Sequence, residues 1–444
     1  MLVALIIYTL FISFDGLYNY DSIQNIDGMI IRLNILYFAV SVLYLWIKRR
    51  KNLFCPEFIL SIIFYIGSYL VGFAEVFDFR SIYVFDSLLV VQALSLVSIG
   101  WMFFIIGALI AKTKKTEYAC ISSYSNTVVM RNIFLLLFII MMVWHLWVDG
   151  GLLLNKYKGA VGTTSAIHFY VILLSILLSY CEFSRLKQLR VNNFRQFIKQ
   201  INKIYLFSIG FIAALTFGWF GDRSSALQII IPVMVLYYLF IKKIGLPSIF
   251  TILVTGLFLS ILVKDTRQSS VFSFDVTMDV SDMVGDFISV NAATPVLIQY
   301  TDKNGFANGG NMLDQVLAII PFAQSIFLDP NKKLAEKSSI INSVVLLGDD
   351  YYSGQGTNVV GDLYYTFGLC GVILGMMLVG WFYSYLFNDV VNGNLNNQYN
   401  TIILLILFGN IIYFVRVEYT FILRSLSFGL IIYWLVSKFT GQKK

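Results

Sequence analysis

Charge is what this 444-residue chain has least of: Asp, Glu, Lys and Arg make up only 13% of it, about half the share usual in soluble domains. It has 4 cysteines, 2 histidines and 6 prolines. So few cysteines and histidines give neither a disulfide framework nor the ligand spacing of a zinc site, and no metal or other cofactor is expected. The formal net charge of +7 comes without an arginine-rich helix or a nucleic-acid motif. No repeat of fixed period is visible, which counts against the repeat-built secondary transporters. What fills the chain is apolar: 58% hydrophobic residues and a mean hydropathy of +0.77. Its main solvent is lipid.

Hydrophobic runs fall at about 1–14, 29–47, 58–74, 87–111, 132–148, 166–183, 204–221, 224–241, 248–263, 360–388, 400–415 and 420–437. Backbone groups in hydrocarbon must be satisfied internally, and continuous runs lack the alternation of barrel strands. The expectation is an all-α polytopic membrane protein, a bundle of about 12 transmembrane helices. The first run ends at Asp15, but no Lys or Arg precedes Arg32 and no small-residue cleavage site follows. It reads as an uncleaved span.

Three regions follow: helices 1–9 over residues 1–264, a polar run at 265–359, and helices 10–12 with a tail over 360–444. The polar run holds 11 of the 25 acidic residues, from Asp265 to Asp350. A connection this long is normally functional or disordered, and its apolar runs argue for a partly helical cap. One of them, Met312 to Leu328, is interrupted by Asp314, Gln315 and Pro321. It predicts a re-entrant or interfacial helix, placed to guide a lipid-linked molecule sideways.

Basic residues set the orientation. With a cytoplasmic N-terminus, 19 Lys and Arg fall inside, at Lys48–Lys51, Lys112–Arg131, 184–203, Lys242–Lys243 and the tail, against seven at the outer ends. That asymmetry obeys the positive-inside rule. Both termini are then cytoplasmic and the 265–359 loop external. Cys55, Cys120 and Cys181 fall on the inner side and Cys370 within a span, so none is left for the loop.

Charges inside or beside spans mark sites by default. The turn Gly221-Asp222-Arg223 joins two spans and fixes Arg223 at the external lip. Arg267 stands just outside the ninth span, Arg416 between the last two, and Arg424 about one turn inside the twelfth. Four guanidinium forks around one opening suit phosphate oxygens. The plainer reading has these arginines snorkelling to the interface, with Asp222 paired to Arg223 and Glu418 to Arg416; Arg424, deepest in its span, fits that reading least.

The tenth span opens with Gly361-Asp362-Leu363-Tyr364-Tyr365-Thr366-Phe367-Gly368. Asp362 and Tyr365, three apart, share a helix face. The carboxylate there can accept a proton, and Tyr364 and Tyr365 can stack on sugar rings; an interfacial tyrosine belt with a helix-starting aspartate is the alternative. Gly371 and Gly375 have the spacing of a close helix contact. His145, flanked by Trp144 and Trp147 near the outer end of the fifth span, is a proton acceptor or an interfacial packing residue. His168 lies near the outer start of the sixth.

The number of spans, the late external loop, the external arginines and the stretches Phe220-Gly221-Asp222-Arg223-Ser224 and Gly361 to Gly368 together resemble the Wzy-type O-antigen polymerases of bacteria. The resemblance implies glycosyl transfer at the periplasmic face of the inner membrane. Undecaprenyl diphosphate would carry both the growing chain and the incoming repeat unit, and a chain-length regulator protein would be a partner. It gives Arg223, Arg267 and Arg424, with Arg416 next, the charge developing on the leaving diphosphate. Asp362 or Asp222 becomes the general base. An O-antigen ligase and a lipid-linked oligosaccharide flippase are the rival readings.

Overall fold

The computed structural model describes residues 1–49, 54–77, 85–113, 124–149, 163–216, 223–245, 248, 251, 291–320, 323–327, 337–348, 356–392 and 398–441. Every regular element among them is a helix. They run as α1 (Leu2–Tyr18), α2 (Ile26–Tyr44), α3 (Pro56–Ser68), α4 (Leu70–Val76), α5 (Ser87–Ile110), α6 (Tyr124–Asp149), α7 (Thr163–Gln188), α8 (Phe194–Gln200), α9 (Lys203–Ala214) and α10 (Arg223–Phe240). Then come α11 (Ala293–Asn304), α12 (Gly310–Ile319), α13 (Ala323–Phe327), α14 (Ser338–Leu347), α15 (Val359–Val391), α16 (Gln398–Gly409) and α17 (Phe421–Phe439). The described part of the polar run thus folds into four helices, α11 to α14.

Six of the described helices are long and apolar enough to cross a membrane: Ile26–Arg49, Ser87–Ile110, Asn126–Val148, Ile167–Gln188, Val359–Val391 and Phe421–Phe439. The runs at 1–14, 204–221, 224–241 and 400–415 coincide with shorter apolar helices. The run at 58–74 is divided at Tyr69 into α3 and α4, and almost all of 248–263 lies outside the described residues. The apolar stretch from Met312 is two short helices, α12 and α13, rather than one.

The chain forms two compact units. The first comprises Met1–Lys114, Met278–Asn388 and Tyr413–Arg424. Its centre is α5, apolar all round and buried along most of its length, as a helix without a polar face must be. Trp101 on α5 stacks on Phe104 at 4.8 Å and Phe64 at 5.0 Å, and Tyr37 on α2 joins them at 5.2 Å. Each polar tip in this aromatic cluster finds a partner, as burial in lipid requires. Trp101 donates to Ser41 at 2.9 Å, Tyr37 to the Ser61 carbonyl at 2.5 Å, and Tyr69 and Ser98 bond at 2.8 Å. At the expected inner end, Glu57 is sealed under Arg49, Tyr44 and Ser384.

A single straight span over 360–388 is not what forms. Gly368 sits at φ 63°, ψ −156° and breaks α15, a conformation favoured only by glycine. The Ala307 N–H reaches into the break and bonds the Tyr365 carbonyl at 3.0 Å, supplying from outside what a kink disturbs. Beyond Gly368 about 23 residues remain, roughly 35 Å of helix and enough for one bilayer crossing. That part meets α5 backbone to backbone: a Cβ at Gly380 would strike the Phe104 carbonyl, and one at Gly107 the Met377 carbonyl. Gly371 and Gly375, expected at a contact between helices, instead face Leu363 of α15 itself across the break.

The second unit comprises Lys115–Thr277, Asp389–Ile412 and Ser425–Lys444. Here α7 is the buried helix. Arg131 reaches Glu182 at 3.4 Å near one end, and His145 reaches His168 at 3.1 Å near the other, so α6 and α7 are antiparallel. Lys187 lies over the Phe240 ring at 5.2 Å and His168 bonds Ser225 at 2.7 Å, so α7 and α10 are parallel. Glu182, fully buried, takes Arg185 at 2.6 Å, Arg131, and the Asn202 N–H at 2.8 Å. Gln228 and Ser425 both donate to Asn410, tying α10 and α17 to the end of α16.

The α5–α15 contact predicts that Gly380→Val lowers the thermal midpoint of the purified protein by an amount equivalent to at least about 2 kcal/mol. Gly210, where an added Cβ would meet nothing within 4 Å, should accept Ala without loss. Equal midpoints for the two variants would refute the close crossing.

Candidate functional site

In the first unit the expected site stretch is the hub of a buried polar network. Asn358 caps the start of α15: its Oδ1 accepts the Gly361 N–H at 2.8 Å while its Nδ2 donates to Thr294 on α11 at 2.8 Å. One turn on, Asp362 is fully buried. Its Oδ1 accepts the Ser338 hydroxyl of α14 at 2.7 Å, and its Oδ2 accepts the Tyr419 N–H at 3.1 Å. Thr366 donates to the Asp362 carbonyl at 2.7 Å and receives Asn311 of α12 at 2.9 Å. Three helices of the polar run are thereby fastened to the first two turns of α15.

The segment before α17 is fastened to the same place. The Arg416 carbonyl accepts the Thr357 N–H at 3.1 Å and lies so close to Gly356, at φ +76°, that a Cβ there would collide with it. Asn342 of α14 bonds the Gly356 carbonyl at 2.8 Å, and Ser339 donates to Glu418. Burial first, and then the Asp362 charge, push the Tyr419 phenol up to about 12, so it stays a neutral hydroxyl at any physiological pH.

Asp362 and Tyr365 do share a helix face, but that face is turned inward rather than to an opening. Tyr365 packs with Leu297 and Ile341 and edge-on to Tyr300 at 5.9 Å. Tyr364 is half-buried, edge-on to Phe306 at 5.4 Å. Arg416 is exposed and Arg424 half-buried in the first turn of α17. Two exposed aromatic rings beside this stretch are Phe306 and Phe367, at 43% and 44% exposure, neither of which sequence reasoning singles out. Phe306 faces Gly368 and Phe367 faces Gly309, so each ring rests on a left-handed glycine of the other segment.

In the second unit Arg223 is the first residue of α10, and Ser224 and Ser225 follow it into the helix. Asp222 and Arg267 lie outside the described residues. His145, at 3% exposure, bonds His168, and His168 bonds Ser225, itself at 1%. The sequence shows His145 and His168 only as two separate histidines; their places at the same end of consecutive antiparallel spans are the signal that joins them. Among the described residues no cluster of three or more His, Cys, Asp or Glu is placed to hold a metal ion.

No protein-family model, no curated protein and no solved structure matches this chain.

The two donors on Asp362 fix what its amide should do. Asp362→Asn turns an acceptor into a donor against either Ser338 or the Tyr419 N–H, leaving a buried group unpaired at about 1–3 kcal/mol. The thermal midpoint of the purified protein should fall accordingly. A variant of unchanged midpoint that had lost all activity would instead put the carboxylate on the substrate.

Proposed function

We propose that this chain polymerises undecaprenyl-diphosphate-linked oligosaccharide repeat units into O-antigen or a similar surface polysaccharide, at the periplasmic face of a bacterial inner membrane. About 12 spans with both termini cytoplasmic would carry an external, partly helical cap over 265–359. The observation that carries the reading is the polar network: α11, α12 and α14 are bound to the start of α15 and to the segment 416–419, which leads into Arg424. A folded cap held this way on span ends brings cationic groups and exposed aromatic rings to the membrane surface.

That chemistry suits the substrate. The growing chain is transferred, as donor, onto a new lipid-linked unit. The acceptor hydroxyl attacks the anomeric carbon and undecaprenyl diphosphate leaves. Developing charge on the diphosphate needs fixed cations, and Arg223, Arg267, Arg424 and Arg416 are assigned to it. Phe306, Phe367 and Tyr364 offer faces for sugar rings. In α12, at its C-terminal cap and in α13, Val316, Ile320, Ile326 and Phe327 are all exposed. On a cap at the membrane surface such exposed apolar side chains would suit steering a polyprenyl tail.

Cells lacking the gene should show core plus a single repeat unit on a glycan gel. The wild type should restore the ladder, and Arg223→Ala or Arg424→Ala, present at normal level, should not. Loss of all surface glycan in the deletion would favour a ligase or flippase, and an unchanged ladder would overturn the reading.

A further inference from the structure

Three side chains from three helices meet at one end of the second unit. His168 of α7 has Nδ1 at 3.1 Å from His145 Nε2 and Nε2 at 2.7 Å from Ser225 Oγ. His145 and Ser225 are buried, whereas His168 is half-buried. One imidazole is therefore oriented through one nitrogen, faces a hydroxyl through the other, and alone of the three is not fully buried.

The bridge between two rings needs an N–H on one side and a lone pair on the other. Two arrangements of hydrogens satisfy these contacts; in the one with the His145 hydrogen on Nδ1, its Nε2 accepts His168 Nδ1–H, and His168 Nε2 is left with a lone pair toward Ser225 Oγ–H. That is the tautomer of a base. If His168 gains a proton, the same Nδ1–H bond to His145 strengthens, because the donor is then charged. A base with a positioned orienter and a hydroxyl in hydrogen-bond reach is the arrangement proton-transfer sites use.

We propose that His168 is the general base of the transfer reaction, that His145 is its positioning residue, and that Ser225 Oγ marks the place of the attacking hydroxyl. This rests on the polymerase reading above and changes its choice of base. Asp362 is fully buried, with Ser338 and the Tyr419 N–H against its two oxygens, whereas His168 is half-buried. In the step, the acceptor hydroxyl displaces Ser225 at Nε2. Its oxygen bonds to the anomeric carbon and its proton passes to Nε2. The bond from that carbon to the diphosphate oxygen breaks, the electron pair leaves with undecaprenyl diphosphate, and His168 returns its proton to water. Arg223 opens α10 two residues before Ser225, so Ser225 lies in the first turn of that helix.

The test uses full-length protein in proteoliposomes, with lipid-linked single repeat units extracted from cells of the same strain lacking this gene. Wild type should form polymer. His168→Gly should lower the rate about 100-fold or more, the scale of general-base catalysis, and imidazole in the buffer should restore it at least about tenfold toward wild type, a rescue a packing role would not give. His168→Gln should be equally slow while remaining monodisperse, and imidazole should do nothing for Arg424→Ala. Polymer from wild type together with a wild-type rate for His168→Gln, or no imidazole rescue of His168→Gly, overturns this inference alone. No polymer from wild type overturns the polymerase reading and the inference with it.

Discussion

The Asp362 carboxylate is the interaction on which the first unit depends. In a chain with so few charges, a carboxylate at 0% exposure is costly unless its oxygens are met by donors. Ser338 and the Tyr419 N–H meet them from segments far away in sequence, 24 residues before and 57 after. Neither donor is held by covalent proximity, so the carboxylate selects the arrangement of α14, α15 and the entry to α17 by leaving an unpaired charge in every alternative. The left-handed break at Gly368 then lets α15 turn from this hub into a membrane-length helix, with Ala307 closing the gap.

Buried charge elsewhere is used in the same way. Glu57 collects Arg49, Tyr44 and Ser384 from the end of α2 and from α15, and Glu182 collects Arg131, Arg185 and the Asn202 N–H. Removing one partner from such a pair costs about 3–5 kcal/mol, while a well-packed apolar pair in its place is often no worse. These clusters therefore specify which helices lie together more than they add stability. In lipid, where apolar faces discriminate little between neighbours, that selection has few other sources.

What was legible in the sequence was set by period and length. Continuous apolar runs announce α2, α5, α6, α7, α15 and α17, because nothing but a helix satisfies its own backbone in hydrocarbon. The break at Gly368 is hidden inside an unbroken apolar run, since hydropathy does not register φ. Spacing puts Tyr365 and Asp362 on one face, correctly, but spacing fixes only the face, and the Leu297 and Ile341 side chains that cover it come from other helices. The pairing of Ser338 with Asp362 has no local trace at all. By contrast, Asn358 three residues before Gly361 is a helix-cap pattern that a reading by hydropathy passes over.

The distribution of titratable groups along α7 carries the functional argument furthest. Glu182 and Arg185, near its C-terminal end, satisfy each other and are closed to chemistry. Fourteen residues before Glu182, about 21 Å along the helix, His168 is tied to a second imidazole and a hydroxyl, His145 and Ser225. A side chain locked in a charge pair is committed to structure. The half-buried His168 imidazole instead bonds an imidazole and a hydroxyl, the latter in the first turn of α10. On the polymerase reading proposed above, a transfer from an already activated donor still requires an acceptor for the hydroxyl proton, and His168, bonded to Ser225 in the first turn of α10, is the group we propose for it.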